Sequence, residues 1–488
     1  MTAASAVHSS ARSGDRALPL VIQGGMGVAV SSWRLASAIA RAGQLGVVSG
    51  TALDLVLARR LQDGDSDGAV RRALAAFPVP EVAERIVTRY YRPGGRPPGT
   101  PYAPVPRLAL RQTKLAQELG ILGNFVEVWL AKEGHDGLVG INFLEKVQMA
   151  TPTAAYGAML AGVDYVLMGA GIPRDIPHLL DELADHRAVK LFVEVTGAAP
   201  GSHTADLDPR ALLGADLPPV TRPKFLAIVS AHALAAYLAR DEHIRPDGFV
   251  VEGPRAGGHN APPRGQQVLD DLGQPIFGPR DEADVAKIAA VGLPFWLAGA
   301  FGTPEALTAA RAAGAVGVQV GTLFALSTDS GLVPGLRRDL LDRLRAGTLD
   351  VRTDPLASPT GFPFKVAQLP GTLSDPELNA ARPRLCDLGY LRTPYLRDTG
   401  AIGYRCKAEP VHVYVRKGGD VEDTVGRACL CNSLTANVGL GQTRSDGYTE
   451  QPLVTLGADL DGARRLAAEY PGDWSAREAL DWLLGAAA

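Results

Sequence analysis

The chain has 488 residues, of which 46% are hydrophobic and 21% charged, and its formal net charge is -3 at pH 7. That length exceeds one ordinary domain and assures a sizeable core, while the near-neutral balance gives no electrostatic footprint for nucleic acid or an anionic membrane. No apolar run of about eighteen residues occurs, so no transmembrane helix is expected, and the opening "MTAASAVHSSARSGDRALPL" lacks the apolar stretch of a signal peptide. The expectation is a disordered lead over 1–18 and a cytoplasmic protein acting on a small molecule. The sequence gives no sign of its oligomeric state.

From Leu20 a rhythm sets in of short β-branched run, glycine-containing loop and alanine-rich helix, which is the βα pattern. "LVIQ" ends at "GGMGVAVS", and "WRLASAIARAG" has apolar positions at helical spacing until Gly43 stops it. "LGVVSG" is the second strand. Further strands are "VGINF", "DYVLMG", "KFLAIVS", "GFVVEG", "PFWLAG" and "GVQVG", eight in all. A ninth candidate, "LFVEVTG", faces "SHTADLD" across a Gly/Pro turn and reads as a surface hairpin between barrel units. Eight apolar strands separated by helices predict an α/β fold of the (β/α)8 TIM-barrel type, with an open doubly wound sheet as the alternative.

The second crossover, between Asp54 and Gly137, is far longer than usual and contains the Pro/Gly/Arg-rich "YYRPGGRPPGTPYAPVPR", so an insertion over about 60–125 is expected. The barrel is assigned to 19–346. Beyond Gly347 turns, proline and cysteine replace the rhythm until the amphipathic "SAREALDWLLGAAA". A smaller cysteine-containing domain is expected over 347–488.

In a barrel of this kind function gathers at the C-terminal ends of the strands. "PFWLAGAFGTPEAL" and "GVQVGTLFALSTDSG" place Gly299, Gly302, Gly321 and Thr322 just past the last two strands, where backbone amides at helix starts cradle phosphate. Glycines also simply make tight turns, but two such loops side by side favour a phosphorylated cofactor. His259 closes "VVEGPRAGGH" on the same face, and imidazole is apt there as an acid or base.

"VIQGGMGVAVSSWRLASAIARAGQLGVVSGTALD", "VGINF", "GFVVEGPRAGGHN", "PFWLAGAFGTPEAL" and "GVQVGTLFALS", in this order, resemble the nitronate monooxygenase (2-nitropropane dioxygenase) family of FMN-dependent barrels, whose framework the flavin-dependent enoyl-thioester reductases share. The likeness resumes at "ASPTGFPFKVAQLPGT". It implies that Gly25, Met26 and Gly27 meet the flavin ring, that Asn142 hydrogen-bonds it, and that Gly258 lies beside it. It further implies that Gly299, Ala300, Gly302, Gly321 and Thr322 hold the FMN phosphate and that His259 is the acid/base facing the substrate. The activity implied is oxidation of alkyl nitronates with O2 to a carbonyl compound and nitrite. The alternative is an NAD(P)H-dependent enoyl reductase whose acyl substrate arrives on an acyl carrier protein.

The family usually reads E-A-G-G-H, whereas here Arg255 takes the place of the acid and "HNAPPRG" follows. Arg255 either favours an anionic substrate at the mouth or faces solvent. Glu127, Lys132, Glu133 and His135, around "NFVEVWLAKEGHDG", read as a solvated charged helix face stopped at Gly134, with Lys146 a further site candidate beyond the third strand. Phe362, Phe364 and Lys365 of the "SPTGFPFK" segment are expected near the cofactor by the resemblance. The four cysteines, Cys386, Cys406, Cys429 and Cys431, all fall in one region. They are either small buried residues or ligands for zinc or an iron-sulfur cluster.

Overall fold

The computed structural model describes residues 17–485, so most of the expected lead over 1–18 lies outside the described residues. Eight strands close a parallel barrel: β1 (Val21–Gln23), β2 (Leu45–Ser49), β3 (Val139–Leu144), β4 (Tyr165–Gly169), β7 (Lys224–Val229), β8 (Gly248–Glu252), β9 (Phe295–Ala298) and β10 (Gly317–Val320). These are the eight strands expected from the sequence. Between β4 and β7 an antiparallel hairpin, β5 (Val189–Phe192) and β6 (Thr204–Leu207), stands outside the barrel. Its first strand begins two residues earlier than the pattern suggested.

Side chains along each strand alternate between two cores, as the two-residue period of a strand requires. Ile22, Val47, Leu167, Leu226, Val250 and Trp296 fill the barrel interior. Their neighbours Val21, Val48, Val166, Phe225, Val251 and Leu297 face the surrounding helices. Because both faces are buried, the strands read as continuous apolar runs in the sequence. Trp296 satisfies its indole inside this core by donating to the carbonyl of Pro19 at 2.8 Å.

The long second crossover folds as helices Leu53–Gln62, Ala69–Ala75, Pro80–Tyr90 and Lys114–Lys132. Here one expectation fails. Glu127 is buried, not solvated; it accepts from the backbone N–H of Trp33 at 2.9 Å and is ion-paired to Arg60. The helix ends at Lys132, so Glu133 is its cap and His135 lies beyond it. The side chain of Glu127 faces the neighbouring βα unit, a packing partner that helical periodicity does not reveal.

After the barrel come helix Pro334–Arg345, hairpin β11 (Val351–Asp354) with β12 (Phe364–Ala367), hairpin β13 (Thr393–Leu396) with β14 (Ile402–Arg405), and helices Leu430–Ala436, Asp461–Glu469 and Ala476–Leu483. Ser475 and Glu478 form a reciprocal cap on the last helix. That helix buries Leu480 and Leu483 in the same core as the barrel's outer face, and Trp474 donates to the carbonyl of Leu323 at 2.9 Å. The segment after 347 therefore packs onto the barrel and reaches over its mouth. Among the described residues no helix is long and apolar enough to cross a membrane.

Candidate functional site

The loops leaving the barrel strands are tightly wound. Ala29, Ala52, Ala170 and Ala300 follow β1, β2, β4 and β9, and all have positive φ, between 54° and 70°. Left-handed backbone at an alanine costs energy and concentrates at functional sites. The first loop is fixed by Ser31, whose Oγ donates to the carbonyl of Gly24 at 2.9 Å and accepts from the N–H of Met26 and from Gln23 Nε2. Gly25 has no room for a side chain, since a Cβ there would stand 2.4 Å from that of Asn142.

One end of the resulting trough is lined by Gly25, Met26, Gly27, Gly258, Gly299, Ala300, Gly302, Gly321 and Thr322, every one of them expected in the cofactor site. The sequence did not point to the other wall. Gly457 donates its N–H to Thr322 Oγ1 at 3.1 Å. The first turn of helix Asp461–Glu469 lies so close to Gly302 that a Cβ on Gly462 would meet the Gly302 carbonyl oxygen at 1.9 Å. No local pattern in the sequence places residues 457–462 beside loops more than 130 positions earlier.

Arg255 lines this same end, is largely exposed and pairs with Asp459 at 3.0 Å. Its exposure agrees with the solvent-facing reading, and it lines the glycine end, whereas His259 lines the middle of the trough and the lane beyond. The cation that acts on His259 is Lys146, whose Nζ lies 4.4 Å from the centre of the Phe362 ring and 3.2 Å from Glu145.

In its middle the trough is lined by Gly25, Gly27, Ser49, Asn142, Glu252, Gly258, His259 and Phe364. Asn142 Oδ1 is buried without a hydrogen-bond partner, as is Oε1 of Gln319 on the floor of the glycine end. Buried amide oxygens without partners are costly, and the two line adjoining cavities of the trough, where a polar guest would satisfy them.

His259 is seated by the C-terminal segment. Its Nε2 is 2.7 Å from Ser358 Oγ, its backbone bridges Phe364, and the two rings stand 4.8 Å apart. Burial, reinforced by the charge of Lys146, pulls its pKa down to about 4, so the imidazole is neutral across ordinary pH. Glu252, at the end of β8, lines all three cavities that make up the trough. Burial raises its carboxyl to about 7. Neither Glu252 nor Ser358 was picked out from the sequence; the acid could have been, as the last residue of a barrel strand.

Beyond His259 the trough widens into a lane lined by Ile172, Leu234, Phe277 and Phe362, with Arg264 and Asp281 at its rim. Phe362 and Phe364 thus face the site as expected. Lys365 does not: it is buried and donates to Thr353 Oγ1 at 2.6 Å. The four cysteines gather at a separate small cavity.

Residues 218–353 match the family model described as nitronate monooxygenase. No curated protein matches the chain. Among solved structures, FabK from Thermotoga maritima is 15% identical with a TM-score of 0.47, covering 96% of this chain and 92% of that one. A nitroalkane oxidase from Streptomyces ansochromogenes is 16% identical with a TM-score of 0.42, covering 96% and 95%. The enoyl reductase domain of MlnA from the macrolactin biosynthesis cluster of Bacillus amyloliquefaciens is 10% identical with a TM-score of 0.48, covering 97% and 95%. Likeness this loose transfers no substrate. The family match covers β7 to β10 and takes in His259 and the two glycine loops.

Proposed function

We propose that the chain is an FMN-dependent oxidoreductase that oxidises alkyl nitronates with O2 to a carbonyl compound and nitrite. The trough fits the cofactor: glycine loops and the turn at Gly457 to Gly462 would hold the phosphate, and the unpartnered amides of Asn142 and Gln319 would meet the ring. When bound, FMN supplies the electron chemistry.

The observation that carries the substrate class is the pair formed by neutral His259 and cationic Lys146. Lys146, which lies over the Phe362 ring and is paired with Glu145, would lend its charge to an anion seated beside His259. His259, uncharged and held by Ser358, is set to accept the α-proton when the substrate arrives as a neutral nitroalkane. Phe362 and Phe364 restrict water around both groups.

The apolar lane beyond His259 supports a second reading, an NAD(P)H-dependent enoyl-thioester reductase whose acyl chain, delivered by an acyl carrier protein, would lie along Ile172, Leu234 and Phe277. That reaction would use His259 as an acid; a pKa of about 4 leaves it unprotonated at neutral pH and also weakens it as a base, so the choice between the two readings falls to which substrate reduces the flavin.

Anaerobic mixing of the purified yellow protein with a nitronate, and separately with NADPH, tests the choice. Rapid bleaching by the nitronate is expected. Bleaching by NADPH alone overturns the nitronate reading, and absence of bound flavin overturns both.

A further inference from the structure

The lane beyond His259 has room for more than the reacting group. From Glu252 and His259 it passes between Ile228, Leu234, Phe277 and Phe362 and reaches Ile172. Ile228 is buried, but Leu234, Phe277 and Phe362 are only half-buried and Ile172 is 57% exposed. Apolar side chains therefore line one concave strip from the trough to the surface. Exposed apolar surface gathered in this way marks a binding site for an apolar group.

The polar groups along the lane offer little to a second anion. Arg264, the cation at its rim, is engaged: its guanidinium donates to the carbonyls of Arg280 and, at 2.8 Å, Ser230. Asp281 stands beside it and accepts from the N–H groups of Arg264 and Gly278 at 2.7 Å each. Two further carboxyls adjoin the lane. Glu252 lines it, and Glu145 packs so close to Gly171 in its wall that a Cβ there would stand 2.3 Å from Glu145 Oε2. Asn260, also in the wall, donates its Nδ2 to the Ala256 carbonyl at 3.1 Å and keeps a buried amide oxygen without a partner. That oxygen accepts and cannot donate. Lys146, paired with Glu145, is the charge available to the nitronate itself. A carboxylate at the far end of a substrate would leave water for a wall with more acceptors than free donors, which is costly.

We propose, resting on the nitronate reading for the reacting head, that the substrate carries an extended, uncharged apolar substituent which lies along Leu234, Phe277 and Phe362 toward Ile172, and that nitronates ending in a carboxylate are selected against. The head sits beside His259 and Lys146, and the tail supplies binding energy remote from the reacting carbon, where it serves to orient that carbon.

Two measurements on the purified protein keep tail and head apart. Calorimetric titration with butanoate, hexanoate and octanoate, unreactive anions shaped like nitronates, reads the lane without turnover. Affinity is expected to rise about fourfold for each methylene buried, and the dicarboxylate of the same length should bind at least about tenfold more weakly than octanoate. Anaerobic flavin reduction by the nitronates of nitroethane, nitrobutane and nitrohexane should show the same slope in its second-order rate constant. Leu234→Asp places a charge in the lane and should flatten both slopes, a readout that a general loss of activity does not mimic. Bleaching by nitronates with no dependence on chain length in either series overturns the proposal, as does a dicarboxylate that binds as well as octanoate or a slope that Leu234→Asp leaves intact. A slope in the carboxylates without bleaching by any nitronate overturns the oxidation reading instead and leaves the lane a site for an apolar tail. The wild-type series stand even where the variant fails to fold.

Discussion

The barrel strands and the segment from Pro355 to Asp461 build the same trough by different means. The strands contribute backbone: glycine loops, left-handed alanines and strand-end positions such as Glu252. The later segment contributes side-chain partners: Ser358 and Phe364 for His259, Thr455 for the N–H of Gly258, Asp459 for Arg255. A generic barrel mouth becomes a particular one through this second layer. Chemistry common to many barrels belongs to the first region, and what is peculiar to this chain belongs to the second.

The two regions also differ in how far the sequence exposes them. Barrel strands advertise themselves because each is short, buried on both faces and followed by a glycine and a helix, so local pattern suffices; all eight were legible, as was the excluded hairpin at Val189–Phe192. The contacts of the later segment join residues about 100 to 340 positions apart. Gly457 at Thr322 and Ser358 at His259 leave no periodic trace. Nor does Gln442, which clamps both backbone groups of Tyr102 in the insertion. Arg255 shows the same limit from the other side. Its place beside the histidine in sequence suggested a role at the substrate, whereas in the fold it lines the glycine end and is largely exposed.

The largest effect that separates the regions is expected from His259→Ala, which removes the group the two share. Turnover of a neutral nitroalkane should fall by about 10²–10⁴ in kcat/KM, the usual worth of a positioned base. A preformed nitronate, needing no proton removal, should be nearly unaffected. Equal losses on the two substrates would contradict the base role and return His259 to simple packing.

Ser358→Ala tests the second layer alone. One hydrogen bond of about 1 kcal/mol holds the imidazole, so the loss should be about fivefold and confined to the neutral nitroalkane. The nitronate again serves as the internal control, because a merely structural effect of the cavity left by the hydroxyl would slow both. Unchanged kinetics on both would mean that Phe364 and the barrel backbone orient His259 without help, and the two-layer picture would lose its clearest instance.

The smallest effect concerns Glu252, whose carboxyl belongs to the barrel and whose burial depends on what covers it. Its pKa is raised from an ordinary 4.5 to about 7 by burial. Between those values the folded chain holds a proton that the unfolded chain has released, so this residue makes stability fall as pH rises from about 4.5 through 7; above 7 both states are ionised and the slope ends. Glu252→Gln removes that contribution. Relative to wild type, the variant should gain on the order of 1–3 kcal/mol across this window, seen as a melting temperature that rises relative to wild type between pH 5 and pH 7.5. Parallel profiles for the two proteins would mean that water reaches the carboxyl in solution, and hence that the later segment covers the barrel mouth less closely than the contacts at Ser358, Thr455 and Gly457 require.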